Sequence, residues 1–273
     1  MDAINRRQLR PFDHPALMRL GLPRDGGYVV PEPEVRSAAV LLSLGIKQDW
    51  SFDRAFAAAN PRVRVIGVDP GIGPMLFLRQ IAVSAVHIVR NGIIGNARQA
   101  GRWSAVLRNS IDYFRFFAPP NHHIRKRVAA GDSDATISLA TLLSLAGAGT
   151  DDRRVFLKMD VDGAEYDLIP TIVNSSDCIS CLVGEFHGLS RNPARFNQAV
   201  TQLLEHFRIV HIHGNNYGPY DKQQDFPTAV EITFVNRRLL DGSSPLSTRE
   251  YPRTDLDYPN APGRPDHTLR FEL

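Results

Sequence analysis

The sequence predicts an α/β domain built on a Rossmann-like, doubly wound and mostly parallel sheet of seven strands. Three observations carry this. Apolar runs of five to eight residues recur along the chain, end in polar tips and alternate with helix-like segments, the pattern of parallel strands joined by crossover helices. The last two runs are joined by a segment without helical periodicity, which places a hairpin at the close of the sheet. Finally, 273 residues suit one large domain, and 43% hydrophobic against 22% charged residues supplies a core while excluding a disordered chain, a collagen-like repeat or a coiled coil.

The first strand is the run from Ala38 to Leu44, stopped by Gly45, and SFDRAFAAAN then predicts a helix with Ser51 as its N-cap. Val63 to Val68 forms the second strand and ends sharply at Asp69-Pro70. GPMLFLRQIAVSA predicts a helix, and Val86 to Val89 a third strand. Residues 91–135 read as an insertion or lid, whose aromatic residues (Tyr113, Phe114, Phe116, Phe117) and basic run His122 to Arg127 suit stacking on a ring and pairing with an anionic group. SLATLLSLAG is a helix with a serine cap and a glycine stop, and Val155 to Asp160 is a central strand. A short helix from Ala164 to Val173 holds Pro170, and Cys181 to Phe186 is the next strand. NPARFNQAVTQLLEHF is a helix capped by Asn192 with Pro193 at its first position. Ile209 to His213 and Val230 to Val235 complete the sheet. Beyond Leu240, Pro245, Pro252, Pro259, Pro262 and Pro265 predict an extended arm over the surface. The domain organisation expected is therefore an N-terminal segment over 1–36, the main domain over 37–240 and a proline-rich arm over 241–273.

The formal charge is only +3, and the basic residues are almost all arginines, with Lys47, Lys126, Lys158 and Lys222 the lysines. The arginines are scattered, so a stripe for nucleic acid or a phospholipid surface is not expected, only a patch for one anionic group. No apolar window is long enough for a membrane span and the first residues lack a signal-peptide core, so a cytoplasmic location is expected. Cys178 and Cys181 form a C-x-x-C inside a strand-like run; residues three apart there face opposite ways, so these are structural thiols, not a zinc or disulfide pair.

In a doubly wound sheet, ligands bind beyond the carboxyl ends of the strands, so the polar tips hold the chemistry. The first tip, Ser43 to Ser51, has no full G-x-G-x-x-G; Gly45 alone allows close backbone approach, and the helix start near Ser51 suits a carboxylate or phosphate. Asp69, 24 residues after Gly45, stands where such sheets place a carboxylate on ribose hydroxyls; the bland alternative is a solvated turn residue. The fourth tip crowds Lys158, Asp160, Asp162 and Glu165 around Gly163, which calls for a cation, a substrate hydroxyl or a cofactor to offset like charge. Glu185 and His187 project together from the fifth tip, and the sixth carries His211, His213, Asn215 and Asn216. Glu231, inside the last strand, reads as an ion-paired structural carboxylate.

These residues resemble a known family. FLKMDVDGAEYDLI is similar to the lysine-x-aspartate-x-(acidic)-glycine-x-glutamate signature of the FkbM-type S-adenosylmethionine-dependent methyltransferases. LPRDGGYVVP, LLSLGIKQDWSFD, VIGVDP, TISLATLL, GEFHGL, HIHGNNYG and EITFVN follow the family in order over roughly residues 20 to 236. The resemblance implies a class I methyltransferase-type fold and O-methylation of a hydroxyl on a small-molecule or glycan acceptor, sugar or polyketide-derived. It implies Gly45 beside the cofactor and Asp69 on its ribose; Ser51 and Asp160 complete the expected cofactor contacts, and the two glycines of Asp25 to Tyr28 would let that backbone fold over the cofactor.

The acceptor contacts expected are Lys158, Asp162, Asn215 and Asn216, and the catalytic set is Asp160, Glu185, His187 and His213. Two arrangements activate a hydroxyl: His187 or His213 as general base, or a divalent metal (magnesium, manganese or zinc) held by Asp160, Glu185 and His187. The rival classes are an NAD-dependent oxidoreductase or epimerase, which wants a fuller glycine fingerprint and a Tyr-x-x-x-Lys, and a non-catalytic nucleoside-binding module, which has no need of polar residues at three tips. A hydrolase would want G-x-S-x-G, which is absent.

Overall fold

The computed structural model describes residues 3–147, 154–240, 242 and 244–271. In chain order the strands are β1 (Leu17–Leu20), β2 (Tyr28–Pro31), β3 (Val40–Leu44), β4 (Arg64–Val68), β5 (His122–Ile124), β6 (Arg127–Ala129) and β7 (Thr136–Ser138). They continue with β8 (Val155–Met159), β9 (Ile179–His187), β10 (Phe207–Gly214), β11 (Tyr220–Asp221), β12 (Phe226–Pro227) and β13 (Ala229–Asn236). The helices are α1 (Glu32–Ser37), α2 (Ser51–Ala59), α3 (Pro74–Ile93), α4 (Ala97–Phe116), α5 (Leu139–Ala146), α6 (Glu165–Asn174) and α7 (Pro193–His206).

Seven strands form the central sheet in the order β10-β13-β9-β8-β3-β4-β5. All pairings from β9 across to β5 are parallel, and β13 alone runs antiparallel to both of its neighbours. This is the Rossmann-like class I methyltransferase fold. Its order reverses between β3 and β8, so the crevice beyond Leu44 and Met159 is the switch point where ligands bind.

Alternation along the strands separates two cores. Leu42, Leu44, Leu157, Met159 and Phe186 pack with α5, α6 and α7 on one side. Leu41, Phe156, Cys181 and Val183 face Tyr28, Val35, Phe52 and Phe56 on the other, under α1, α2 and the β1-β2 hairpin. Cys178 and Cys181 are free thiols.

Three expectations are corrected. Val86 to Val89 is not a strand but part of the 20-residue α3, because its apolar residues recur every three or four positions over a long window; the strand beside β4 is β5, the start of the basic run. Trp50, not Ser51, is the cap of α2, and the Ser51 side chain makes no cap bond. The C-terminal segment does not merely lie over the surface: Ser247, Tyr251, Asp257, Asn260, Ala261 and Leu269 are buried, and it bonds to the tips of β10 and β13.

Of the aromatic residues of 91–135, Tyr113 and Phe117 are taken up in packing and Phe114 is exposed. Tyr113 stacks on Phe77 at 4.2 Å, and Trp50 packs edge-on to Phe77, Tyr113 and Phe117, which anchors the α3-α4 hairpin to the sheet.

Gly45 closes β3 at φ +75°, and a Cβ there would fall 1.7 Å from the Asp160 carbonyl oxygen. Gly45→Ala is therefore expected to destabilise the protein by more than about 2 kcal/mol. Thermal and urea unfolding of the variant measure this; a native-like melting temperature contradicts the packing described.

Candidate functional site

Strand register builds the site. Glu185 pairs with Glu231 across β9 and β13, and Glu231 with His213 across β13 and β10. Asp160 follows Met159, which pairs with Gly184, so its position extends the same row. Directly paired residues share a face. One face of the carboxyl rim thus carries the row Asp160, Glu185, Glu231 and His213, and Asp25 from the β1-β2 turn comes close enough to place an oxygen within 4.8 Å of Glu185 and Glu231 oxygens.

Cations interleave with this acid. Lys47 Nζ lies 3.4 Å from Asp160 and 3.2 Å from Asp162. The Lys158 ammonium is buried 4.0 Å from Asp160, donates to the Gly45 carbonyl at 3.0 Å and faces the Tyr28 ring. His187 stands between Glu165, 3.2 Å from its Nδ1, and Glu185, 3.4 Å from its Nε2. Glu165 is wholly buried at the start of α6, accepting from the backbone of Gly163 at 2.6 Å and of His187 at 2.7 Å. Burial opposes a charge on His187, yet the hydrogen bonds to Glu165 and Glu185 outweigh it and raise the imidazole to about 10. Burial raises Glu185 to about 7, against the hydrogen bond from His187 and with repulsion from Asp160.

Three cavities meet here. A cleft of about 520 Å³ between the tips of β3, β4 and β8 is lined by Gly45, Lys47, Asp69, Lys126, Asp160 and Asp162. Asp69 is fixed at its wall by the backbone amides of Lys47, at 2.8 Å, and Gly71, at 2.7 Å, one on each oxygen. Each oxygen keeps a lone pair for a further donor. A smaller hollow of about 60 Å³ joins Asp25, Gly26, Tyr28, Lys158 and Asp160 to Asp53, whose buried Oδ1 has no hydrogen-bond partner. A third cleft, of about 720 Å³, is lined by Asp162, Tyr166, Glu185, His187, Arg195 and Asn215. Both larger clefts fall in the roughly 300–1,000 Å³ range of small-molecule sites.

The structure thus brings together Gly45, Asp69, Lys158, Asp160, Asp162, Glu185, His187 and Asn215, which donates to Glu185 and accepts from the Tyr217 amide at 2.9 Å. It removes three expected members. Ser51 lines none of these cavities. His213 is buried between Glu231, at 3.4 Å, and Asp266, at 3.0 Å, with no free ring nitrogen. Asn216 is spent on the backbone of the C-terminal segment, accepting from Ala261 at 2.7 Å and donating to Arg264 and Pro265 carbonyls. Lys158 is present but its ammonium is committed to the site floor, not to an acceptor.

Both histidines expected as general bases have their two ring nitrogens beside carboxylates. Two carboxylates favour the charged imidazole, which donates a proton where the neutral ring could accept one; burial opposes the charge on His213 too, yet the hydrogen bonds to Asp266 and Glu231 raise it to about 10. Sequence reasoning gave no role to Asp53 and Lys47, and placed Asp25 and Glu165 near the site without assigning them a task. Glu165 had a signal in the acidic tip and Asp25 in the DGGY turn; Asp53 and Lys47 become visible when chain-distant turns meet.

No protein-family model matches the chain, and no curated protein matches it. Among solved structures it is similar to the fibrillarin pre-rRNA processing protein of Methanococcus jannaschii, at 11% identity over 74% of this chain and 68% of that one, TM-score 0.38. It is similar to the O-methyltransferase TomG from Streptomyces achromogenes in complex with SAM, at 11% identity over 74% and 75%, TM-score 0.34. It is also similar to precorrin-6y C5,15-methyltransferase from Geobacter metallireducens, at 13% identity over 75% and 84%, TM-score 0.33. Likenesses of this size add nothing to the activity; the fold stands on the sheet order.

His213 sits above its ordinary value of 6.5 at about 10, so its ion pairs stabilise the fold fully below pH 6.5 and are lost as pH rises through about 10. The melting temperature is expected to fall across that window, and Asp266→Asn to flatten the fall. A melting curve independent of alkaline pH in the parent protein contradicts the assignment.

Proposed function

We propose that the protein is an S-adenosylmethionine-dependent O-methyltransferase acting on a hydroxyl of a sugar, glycan or related small molecule. The observation that carries this reading is that the cleft beside Gly45, Asp69 and Asp160 and the cleft holding Glu185 and His187 share Asp162 as a lining residue. Asp69 is the acceptor for the ribose hydroxyls. Lys126 and Arg127, from the basic run, line the far side of the same cleft. The hollow beside the DGGY turn takes the amino-acid end, with the unpartnered Asp53 oxygen receiving its ammonium.

When bound, the cofactor supplies a methyl group that is displaced in line from its sulfonium. The chain's own contribution is to hold the acceptor and take its proton. Glu185, at about 7, is the base: it is about half ionised at neutral pH and basic enough to receive a hydroxyl proton, and Asn215 and His187 both hold its Oε1. His187, positively charged, offsets the second negative charge at the site, and Glu165 fixes its ring. Tyr166, Tyr217 and Arg195 along the same cleft suit a hydroxylated ring with an anionic substituent.

Asp69→Ala is expected to weaken S-adenosylmethionine binding by about 1–3 kcal/mol in calorimetry, with NAD not bound by either protein. Glu185→Gln is expected to lower turnover by about 10²–10⁴ while cofactor affinity is kept, and the parent's rate to rise with pH through about 7 as Glu185 ionises. Normal cofactor affinity in the first variant removes the cofactor assignment.

A second reading, with a divalent cation, is favoured by one observation: Asp160 Oδ1 is buried without a partner, and one donor atom each from Asp160, Glu185 and His187 lie within 4.8 Å of one another. Two carboxylates and an imidazole suit magnesium, manganese or zinc, and Glu165 would then serve as the outer carboxylate on the imidazole. Turnover abolished by EDTA and restored by magnesium or manganese selects this reading; turnover indifferent to EDTA selects the carboxylate base.

A further inference from the structure

Outside the clefts, the most unusual surface is the outward side of α3. Met75, Leu78, Val86, Val89, Ile93 and Ile94 are all more than half exposed, Ile93 by 81%. Of the twelve large hydrophobic residues exposed among the described residues, seven lie between 75 and 94. With Ala82 they recur as 75, 78, 82, 86, 89 and 93, one stripe along the whole helix. The opposite, buried side carries Phe77 but also Ser84 and Asn91, and Gln80 accepts from Ser110 on α4 at 2.9 Å. The helix thus turns a continuous apolar stripe to water and meets its neighbour through a mixture of aromatic and polar residues. Such a stripe marks an interaction surface.

Its charge says what covers it. Read linearly the arginines are scattered, but the α3-α4 hairpin gathers Arg79, Arg90, Arg98, Arg102, Arg108 and Arg115, all exposed. Arg79 and Arg90 fall beside the apolar stripe in helical phase, each four residues after one of its members. Between 74 and 116 the one acidic residue is Asp112, and it is already held by Trp50 Nε1 at 2.8 Å and Arg54 at 3.2 Å. A second copy of this hairpin would bring like charge against like. Nucleic acid would satisfy the arginines and leave the apolar stripe in water. An anionic bilayer surface satisfies both, since apolar side chains enter the headgroup boundary while arginines meet the phosphates. Among the described residues no helix is long and apolar enough to cross a membrane, so the contact is peripheral.

We propose that the outward face of α3, with its arginine flank, is a membrane-docking face that seats on anionic phospholipid. This is independent of the cofactor and acceptor.

The test is flotation of the full chain, without cofactor, with vesicles of phosphatidylcholine containing phosphatidylglycerol and with vesicles of phosphatidylcholine alone. The parent protein is expected to float with the anionic vesicles and not with the neutral ones. Val89→Ser combined with Ile93→Ser keeps every charge and is expected to cut the bound fraction by roughly tenfold. Because Val89 and Ile93 are 63% and 81% exposed, the melting temperature should be unchanged. Absence of flotation in the parent overturns the proposal, as does equal flotation of the serine variant. It is likewise overturned if the parent ignores vesicles and instead binds RNA in a way the serine variant retains, or forms a dimer that the serine variant dissolves.

Discussion

Carboxylates side by side on one face of a sheet, buried at the rim, repel one another strongly, and much of the surrounding architecture consists of the cations and donors that make the arrangement tolerable. Asp160, Glu185 and Glu231 stand on three adjacent strands, and Asp25 leans in from the N-terminal turn. Lys47 and Lys158 neutralise one end of the row, His187 the middle and His213 the far end. Asn215 and Asn260 donate to Glu185 and Glu231. The compensation is uneven, and that is where chemistry becomes possible. Glu231 is paired on both oxygens, whereas Glu185 opens onto a cleft and Asp160 keeps a bare oxygen.

This explains why distant parts of the chain converge on the rim. The DGGY turn must lie close: a Cβ on Gly27 would fall 2.1 Å from the Leu22 carbonyl. That turn brings Asp25 to the acid row and seats Tyr28 over the Lys158 ammonium. The C-terminal segment has the complementary task. It contributes Asp257 to His211, Asp266 to His213 and Asn260 to Glu231, so two imidazoles on the sheet's last hairpin are tied down and withheld from the cleft.

The sheet was legible in the sequence because its strands are apolar runs with distinct ends: the order of runs, the closing hairpin and the tips at Gly45, Asp69, Asp160 and Glu185 all follow from local pattern. The mistaken strand at Val86 to Val89 shares a cause with the missed surface stripe. A short apolar run does not say which way it faces, and α3 exposes residues that a globular helix ordinarily buries. The role of a histidine is not legible locally because it depends on what grips the ring. His213 and His187 carry the same residue type at neighbouring tips, yet one is enclosed by Asp266 from 53 residues away and the other opens onto a cleft. Nothing in the local sequence marks Asp53, in the first turn of α2, as a carboxylate whose buried oxygen lacks a partner.

The central claim is a division of charge inside one pair: Glu185 titrating near neutrality beside a His187 that stays protonated. Carbon-13 and nitrogen-15 NMR titration of the glutamate carboxyls and histidine rings, assigned with Glu185→Gln and His187→Gln, tests it most directly. The account predicts a carboxyl midpoint near 7 for Glu185 and an imidazolium at His187 that persists toward pH 10. A Glu185 midpoint near 4.5 with His187 titrating near 6.5, their ordinary values, would contradict it.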